Sequence, residues 1–362
     1  MSTHTEVKQL IRDLKSSDAS VSLQALHRFT KITDATAVPE LLRALRSGDK
    51  QVMDAAGLGL ISIGEPAVAL LVRALRKEKN WGVKCHCAYA LGEIGDAYAT
   101  RALLSAIRGK DFLVKTNCLQ ALGKIRDPSA SSALVRLLGN KRLREDAARV
   151  LGEIGAPAAP ELAKALKNKI TGSRAAKVLL KIGEPSVPAL MKALQGRNDL
   201  ARRRAATVLS GIGGTSTATA LTDALRSRSE KARVAASHAL IKVQDDRATP
   251  HLICALGDSS AKVRKNAAIA IEKAQPNSMD DLHNLRRQIK SLVKEHGKDC
   301  PKWMIDSLGA TYKRWSAHLG RKCRKAHKDG GLLPPPKRFR NPPAPQKHYN
   351  LFCRPKRMWR AH

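Results

Sequence analysis

The hydrophobic positions of this chain follow one pattern that returns nine times. An aliphatic residue stands at Ile32, Ile63, Ile94, Ile125, Ile154, Ile182, Ile212, Val243 and Ala274. Three residues before each stand Phe29, Leu60, Leu91, Leu122, Leu151, Leu179, Leu209, Leu240 and Ile271. Alanine pairs lie just upstream at 147–148, 175–176, 205–206, 235–236 and 267–268. Apolar residues at i, i+3 and i+4 form one stripe of an amphipathic helix, and small alanines let neighbouring helices approach closely. The residue after each aliphatic position is an anchor: Thr33, Gly64, Gly95, Arg126, Gly155, Gly183, Gly213, Gln244 and Gln275, at steps of 31, 31, 31, 29, 28, 30, 31 and 31 residues.

Glycine at the anchor supplies the left-handed residue that ends a helix. Pro66, Pro157 and Pro185 follow two residues later, as Pro128 follows Arg126, which suits the first turn of a next helix. A second apolar pattern then runs through 67–76 and 186–194. The unit is therefore helix, short turn, helix, tight turn. A hairpin of ~30 residues cannot bury its stripe alone, so successive hairpins must stack. The expected fold is an all-α solenoid of about nine such hairpins.

The segments CAYALGEIGD, DAARVLGEIG and RAATVLSGIG resemble the short HEAT-like repeat named after phycobilisome lyases, V-R-x-x-A-A-x-x-L-G-x-I-G-D. The resemblance covers about residues 6–275 and implies an α-solenoid, a fold that serves lyases, chaperones, nucleic-acid binders and adaptors alike. The expected organisation is a repeat solenoid over 1–275, capping helices over 276–319 and a basic Pro-rich tail without stable structure over 320–362. Within the caps, Leu282, Leu285, Ile289 and Leu292 make one stripe, and Trp303, Met304, Leu308 and Trp315 belong to a last helix near 301–319.

Charge changes the picture next. The chain has 66 Lys+Arg against 31 Asp+Glu, a formal net charge of +35. Such a field attracts polyanions in a salt-dependent way. Seven cysteines without framework spacing read as reduced thiols of an intracellular, cytoplasmic protein. No stretch approaches the ~20 apolar residues of a membrane span, and the expected state is a monomer.

Enzyme readings find little support in the residues. Deoxyhypusine hydroxylase is similar in repeat type, and the resemblance would imply a di-iron centre held by His-Glu pairs, yet the sequence contains no His-Glu dipeptide. Cys85-His86-Cys87 is the densest cluster of soft ligands, but neighbours on a helix point apart. A bilin-lyase activity would rest on the repeat's name alone. An alkylpurine-glycosylase likeness would need aromatic and acidic residues clustered around a lesion, and Trp81 stands apart from such a cluster. No catalytic residue, cofactor, metal or small-molecule substrate is expected.

Eleven residues before the anchors the register reads Ser22, Met53, Lys84, Lys115, Arg144, Gly172, Arg202, Arg233 and Arg264. A cation at the start of a helix opposes the helix dipole by ~0.3–1 kcal/mol, so something else favours it. One explanation is structural: each cation pairs with an Asp of the preceding turn, as in Asp258 to Arg264, Asp199 to Arg202 or Asp111 to Lys115. The other is a ligand-binding ridge of Lys84, Lys115, Arg144, Arg202, Arg203, Arg233 and Arg264. Cations near the end of the first helices, such as Arg43, Arg46, Arg73, Arg76 and Arg108, would widen it, and the run Arg202-Arg203-Arg204 and the stretch Lys262–Lys265 would thicken its C-terminal half. In the tail, Lys337, Arg338, Arg340, Arg354, Lys356 and Arg357 alternate with Phe339, Tyr349, Phe352 and Trp359. Basic residues interleaved with aromatics suit phosphate contact plus base stacking. The expected function is a non-enzymatic scaffold that binds an extended polyanion, nucleic-acid backbone foremost. The alternative is an adaptor gripping an acidic protein segment on its concave face.

Overall fold

A computed structural model describes residues 3–276, 278–296 and 301–328. Among the described residues there are twenty α-helices and no strand. The first eighteen pair into nine hairpins: α1 (Thr3–Leu14) with α2 (Ala19–Phe29), α3 (Val38–Ala44) with α4 (Lys50–Ile63), α5 (Glu65–Lys77) with α6 (Trp81–Ile94), α7 (Thr100–Ala106) with α8 (Phe112–Ile125), α9 (Ser131–Leu137) with α10 (Arg144–Ile154), α11 (Ala159–Ala165) with α12 (Gly172–Ile182), α13 (Val187–Gln195) with α14 (Asp199–Ile212), α15 (Gly214–Ala224) with α16 (Glu230–Val243), and α17 (Thr249–Ala255) with α18 (Ala261–Lys273). Then come α19 (Met279–His296) and α20 (Lys302–Lys328). The last helix runs past Gly320, where the tail was expected to begin.

The chain divides into two compact units, Met1–Ser186 and Val187–His362. Within each unit the second helices of successive hairpins pack side by side, α4, α6, α8, α10 and α12 in one, α14, α16 and α18 in the other. The first helices form the opposite layer, and the stripe read from the sequence lies between. Leu60, Leu91, Leu122, Leu151, Leu179 and Leu209 are all buried to 1% exposure or less. Each contributes ~1.5–3 kcal/mol relative to an exposed side chain.

The anchors divide into two backbone classes. Gly95, Arg126 and Gln244 adopt ordinary left-handed geometry, with φ of 81°, 55° and 50° and ψ of 9°, 28° and 40°. Each precedes an aspartate, Asp96, Asp127 or Asp245, whose side chain accepts from the backbone N–H two residues on and so caps the next turn. Gly64, Gly155, Gly183 and Gly213 instead combine φ of 74°, 74°, 77° and 65° with ψ near −140° (−138°, −136°, −144° and −157°). Only glycine enters that region without strain. This explains why, among the positive-φ anchors, arginine and glutamine replace glycine solely before an aspartate. Gly95→Asn is therefore expected to cost under about 1 kcal/mol, and Gly155→Asn about 1–3 kcal/mol, in urea unfolding; equal costs would contradict the two classes.

The outermost anchors differ. Neither Thr33 nor Gln275 takes a positive φ. At the end of α18 the freed carbonyls are met by α20: the buried Trp315 Nε1 donates to Ala274 O at 3.1 Å, and Arg314 donates to Glu272 O. Met304, Leu308 and Trp315 are buried as their spacing implied, whereas Trp303 is 43% exposed and turned away from that core.

Candidate polyanion-binding surfaces

The arginine ladder of the second unit serves a purpose visible only in three dimensions. Arg202 Nη2 donates to Gly196 O at 2.6 Å, Arg233 Nη1 to Ser227 O at 3.0 Å, and Arg264 Nη1 to Asp258 O at 2.9 Å. In every case the acceptor lies six residues upstream, in the turn that follows the first helix. The cation at the start of one helix thus satisfies a carbonyl left over near the end of the one before, where negative partial charge accumulates. That offsets the unfavourable dipole placement noted from the sequence.

Carboxylates complete the arrangement. Asp199 pairs with Arg202 and with Lys231, the latter at 3.2 Å. The hydrogen bond from Arg202, then that from Lys231, holds the Asp199 carboxyl below its ordinary range. Asp258 gives Arg264 only its backbone carbonyl; its carboxylate goes to Arg233 of the preceding hairpin, at 2.7 and 3.0 Å. Arg202 and Arg264 are each 5% exposed. The expectation that Arg202, Arg233 and Arg264 present free charge to a ligand is therefore corrected: their guanidinium groups are committed to the turns.

The neighbouring register positions do face outward. One residue after the ladder stand Arg203 and Lys265, and two before it stand Lys231 and Lys262, all exposed. They line a groove of about 800 Å³ across α14, α16 and α18, floored by Ala206, Val234 and Ala235. Its two carboxylates are both engaged, Asp199 as above and Glu230 by accepting from Ser260 Oγ at 2.8 Å. Among the described residues Arg203 and Lys262 make no ion pair, and Lys265 Nζ lies 5.8 Å from the centre of the Trp303 ring. Of these groove cations the ridge read from the sequence contained Arg203 and, in the stretch that thickens it, Lys262 and Lys265, but not Lys231. A step of one residue turns a helical side chain by ~100°, enough to exchange an inward position for an outward one.

In the first unit the ladder is occupied differently. Lys84 and Lys115 are half-buried, and among the described residues neither side chain makes a hydrogen bond or ion pair; Lys115 meets Asp111 only through its backbone N–H, which donates to Asp111 O at 3.2 Å, so the anticipated ion pair does not form. Arg144 Nε lies 3.3 Å from Glu145. Of the first-helix cations, Arg43 pairs with Glu40 and Arg46 with Glu78, while Arg73, Arg76 and Arg108 are exposed. His86 bridges Asp54 at 3.1 Å and Gly82 O at 2.9 Å in a shallow hollow of about 390 Å³ that also holds Cys85 and Tyr89. Burial pushes the Cys87 and Cys118 thiols up to about 12, which leaves them protonated and unreactive at neutral pH. Cys85, Cys87 and Cys118 are free, but Cys254 is disulfide-bonded, so the reading of all seven cysteines as reduced does not hold for it. The tail cations Lys337, Arg338, Arg340, Arg354, Lys356 and Arg357 lie outside the described residues.

The HEAT-repeat family matches residues 68–145 and 187–272, and the phycobilisome-lyase HEAT-like repeat matches residues 143–168. The chain is a HEAT-repeat protein. No curated protein matches this HEAT-repeat chain. Among solved structures it is similar to an engineered protein, at 19% identity over 85% of this chain and 99% of that one with a TM-score of 0.31. It is also similar to human deoxyhypusine hydroxylase in complex with glycerol, at 20% identity over 78% and 97% of the two chains with a TM-score of 0.30. Its HEAT repeats point to a protein-binding scaffold. Among the described residues no helix is long and apolar enough to cross a membrane.

Proposed function

We propose that this HEAT-repeat protein is a non-enzymatic scaffold whose second-unit groove takes the phosphate backbone of nucleic acid. The observation that carries this reading is the set of Arg203, Lys262 and Lys265 at the rim of one groove whose carboxylates are already bonded within the protein. Cations on two helices, α14 and α18, to either side of α16 suit an extended, regularly charged ligand better than a compact one. Such contacts position a backbone and carry no base specificity. The basic tail would add cations to the same kind of ligand.

The test is binding of the full chain to labelled mixed-sequence DNA across a salt series, beside an Arg203/Lys262/Lys265→Ala variant. The variant is expected to bind more weakly and to flatten the slope of log affinity against log salt by about 2–3, since each lost phosphate contact removes ~0.9. An unchanged slope would sink the reading. A second reading has one observation in its favour: the apolar floor of Ala206, Val234 and Ala235 suits an acidic protein helix. That ligand would bind with a much shallower salt dependence.

A further inference from the structure

Aromatic residues are 3% of this chain, and among the repeats they are mostly kept out of the core. Phe29 is fully buried, but Trp81, Tyr89 and Phe112 are 53%, 45% and 45% exposed. All three stand on the adjacent second helices α6 and α8 of the first unit. Trp81 and Phe112 are each the first residue of their helix and are 31 positions apart. At the other end of the same two helices Lys124 pairs with Glu93, again 31 positions apart. The two rings therefore occupy equivalent places on neighbouring helices that run side by side, with axes ~8–10 Å apart. Tyr89 already has Lys124 over its ring at 5.0 Å, which leaves Trp81 and Phe112 as the open pair.

A scattered exposed ring is ordinary; two in register in a Leu/Ala-built stack do nothing for its packing. Cations surround them. Lys84 and Lys115 lie one helical turn beyond the rings, and Lys110 is exposed in the turn just before Phe112. Among the described residues none of the three lysines is paired. The nearby acids are Asp111 and Glu78, and Glu78 is bonded to Arg46.

We infer that this edge of the first unit binds single-stranded nucleic acid, with bases stacked on Trp81 and Phe112 and phosphates held by Lys84, Lys110 and Lys115. A duplex hides its base faces within the stack, and an acidic peptide does not pair a planar ring with each of its charges. A single strand alone presents planar apolar rings and a charged backbone together. The inference rests on the nucleic-acid reading of the protein but concerns different residues in the other unit.

The experiment measures anisotropy of labelled oligothymidylate, and of a duplex of equal length, with the full chain. Trp81→Ala and Phe112→Ala are each expected to weaken oligothymidylate binding by about 5-fold or more, leaving duplex binding and the salt slope unchanged. Trp81→Phe should retain most of the affinity. Trp81→Leu, which keeps apolar bulk without a large planar face, should lose it as alanine does. Both rings are exposed, so the melting temperature should hold; a variant that melts early is replaced by the Trp81→Phe and Trp81→Leu pair. Leucine and alanine variants that bind like wild type would overturn the inference, as would equal losses for single strand and duplex. An unchanged salt slope in the Arg203/Lys262/Lys265→Ala variant, with the aromatic effects intact, overturns the groove reading alone.

Discussion

Arg233→Ala is expected to destabilise the second unit by about 3–5 kcal/mol, the cost of stranding one partner of a buried ion pair. The Arg233 and Asp258 side chains are 14% and 11% exposed, and two parallel N–H···O contacts join them. Alanine leaves the Asp258 carboxylate with little water and only the Ser260 N–H, at 2.8 Å, to stabilise it. It also frees Ser227 O at the end of the first helix. Arg233→Lys restores a charge without the planar fork, so it should recover part of the loss and no more. Asp258→Asn keeps an acceptor for Ser260 and should cost less than Arg233→Ala. Native-state hydrogen exchange is the suitable readout, because it reports protection of the α16 and α18 amides separately from the first unit. A loss under about 1 kcal/mol would mean that the pair is surface decoration.

The same arginine marks where the sequence stops being informative. The helices, their pairing and their ends were legible because they depend on residues within a few positions of one another. The stripe at Leu91 and Ile94, the left-handed Gly95 and the capping Asp96 are all local signals. Even Arg126 and Gln244 could be placed by register against their glycine counterparts. The direction of a long side chain at a helix start is not local in that sense. Arg202 and Lys84 share one register position and one charge, yet Arg202 folds back onto Gly196 O while Lys84 makes no such bond. The guanidinium fork can serve a carbonyl and a carboxylate together, as Arg202 does with Gly196 and Asp199; an ammonium is a single point. Charge periodicity therefore located the right turn of the helix and the wrong face of it. The outward cations at Lys231, Lys262 and Lys265 lie within two residues of the ladder, and which positions stay exposed is something only packing defines.

Glycines of the repeated L-G-x-I motif give the second large effect, and its sign should change from copy to copy. A Cβ added at Gly92 would meet the Ala121 Cα at 2.7 Å and its Cβ at 2.9 Å, where α6 and α8 come closest. Backbone cannot step aside as a side-chain tip can. Gly92→Leu, the residue that the motif carries at Leu180, is expected to cost about 3 kcal/mol or more through forced separation of the two helices. Gly92→Ala should still be destabilising, despite the ~1 kcal/mol that alanine gains over glycine inside a helix. Adding Ala121→Gly removes the Cβ contact but not the one to Cα, so rescue should be incomplete. At Gly152 the nearest atom to an added Cβ is the Lys181 Cδ at 3.8 Å, an ordinary contact with a mobile side chain. Gly152→Ala is therefore expected to stabilise the protein by up to ~1 kcal/mol. Denaturant midpoints of the two alanine variants provide the check. Shifts in the same direction would show that these glycines are kept for a reason other than the approach of α8 to α6.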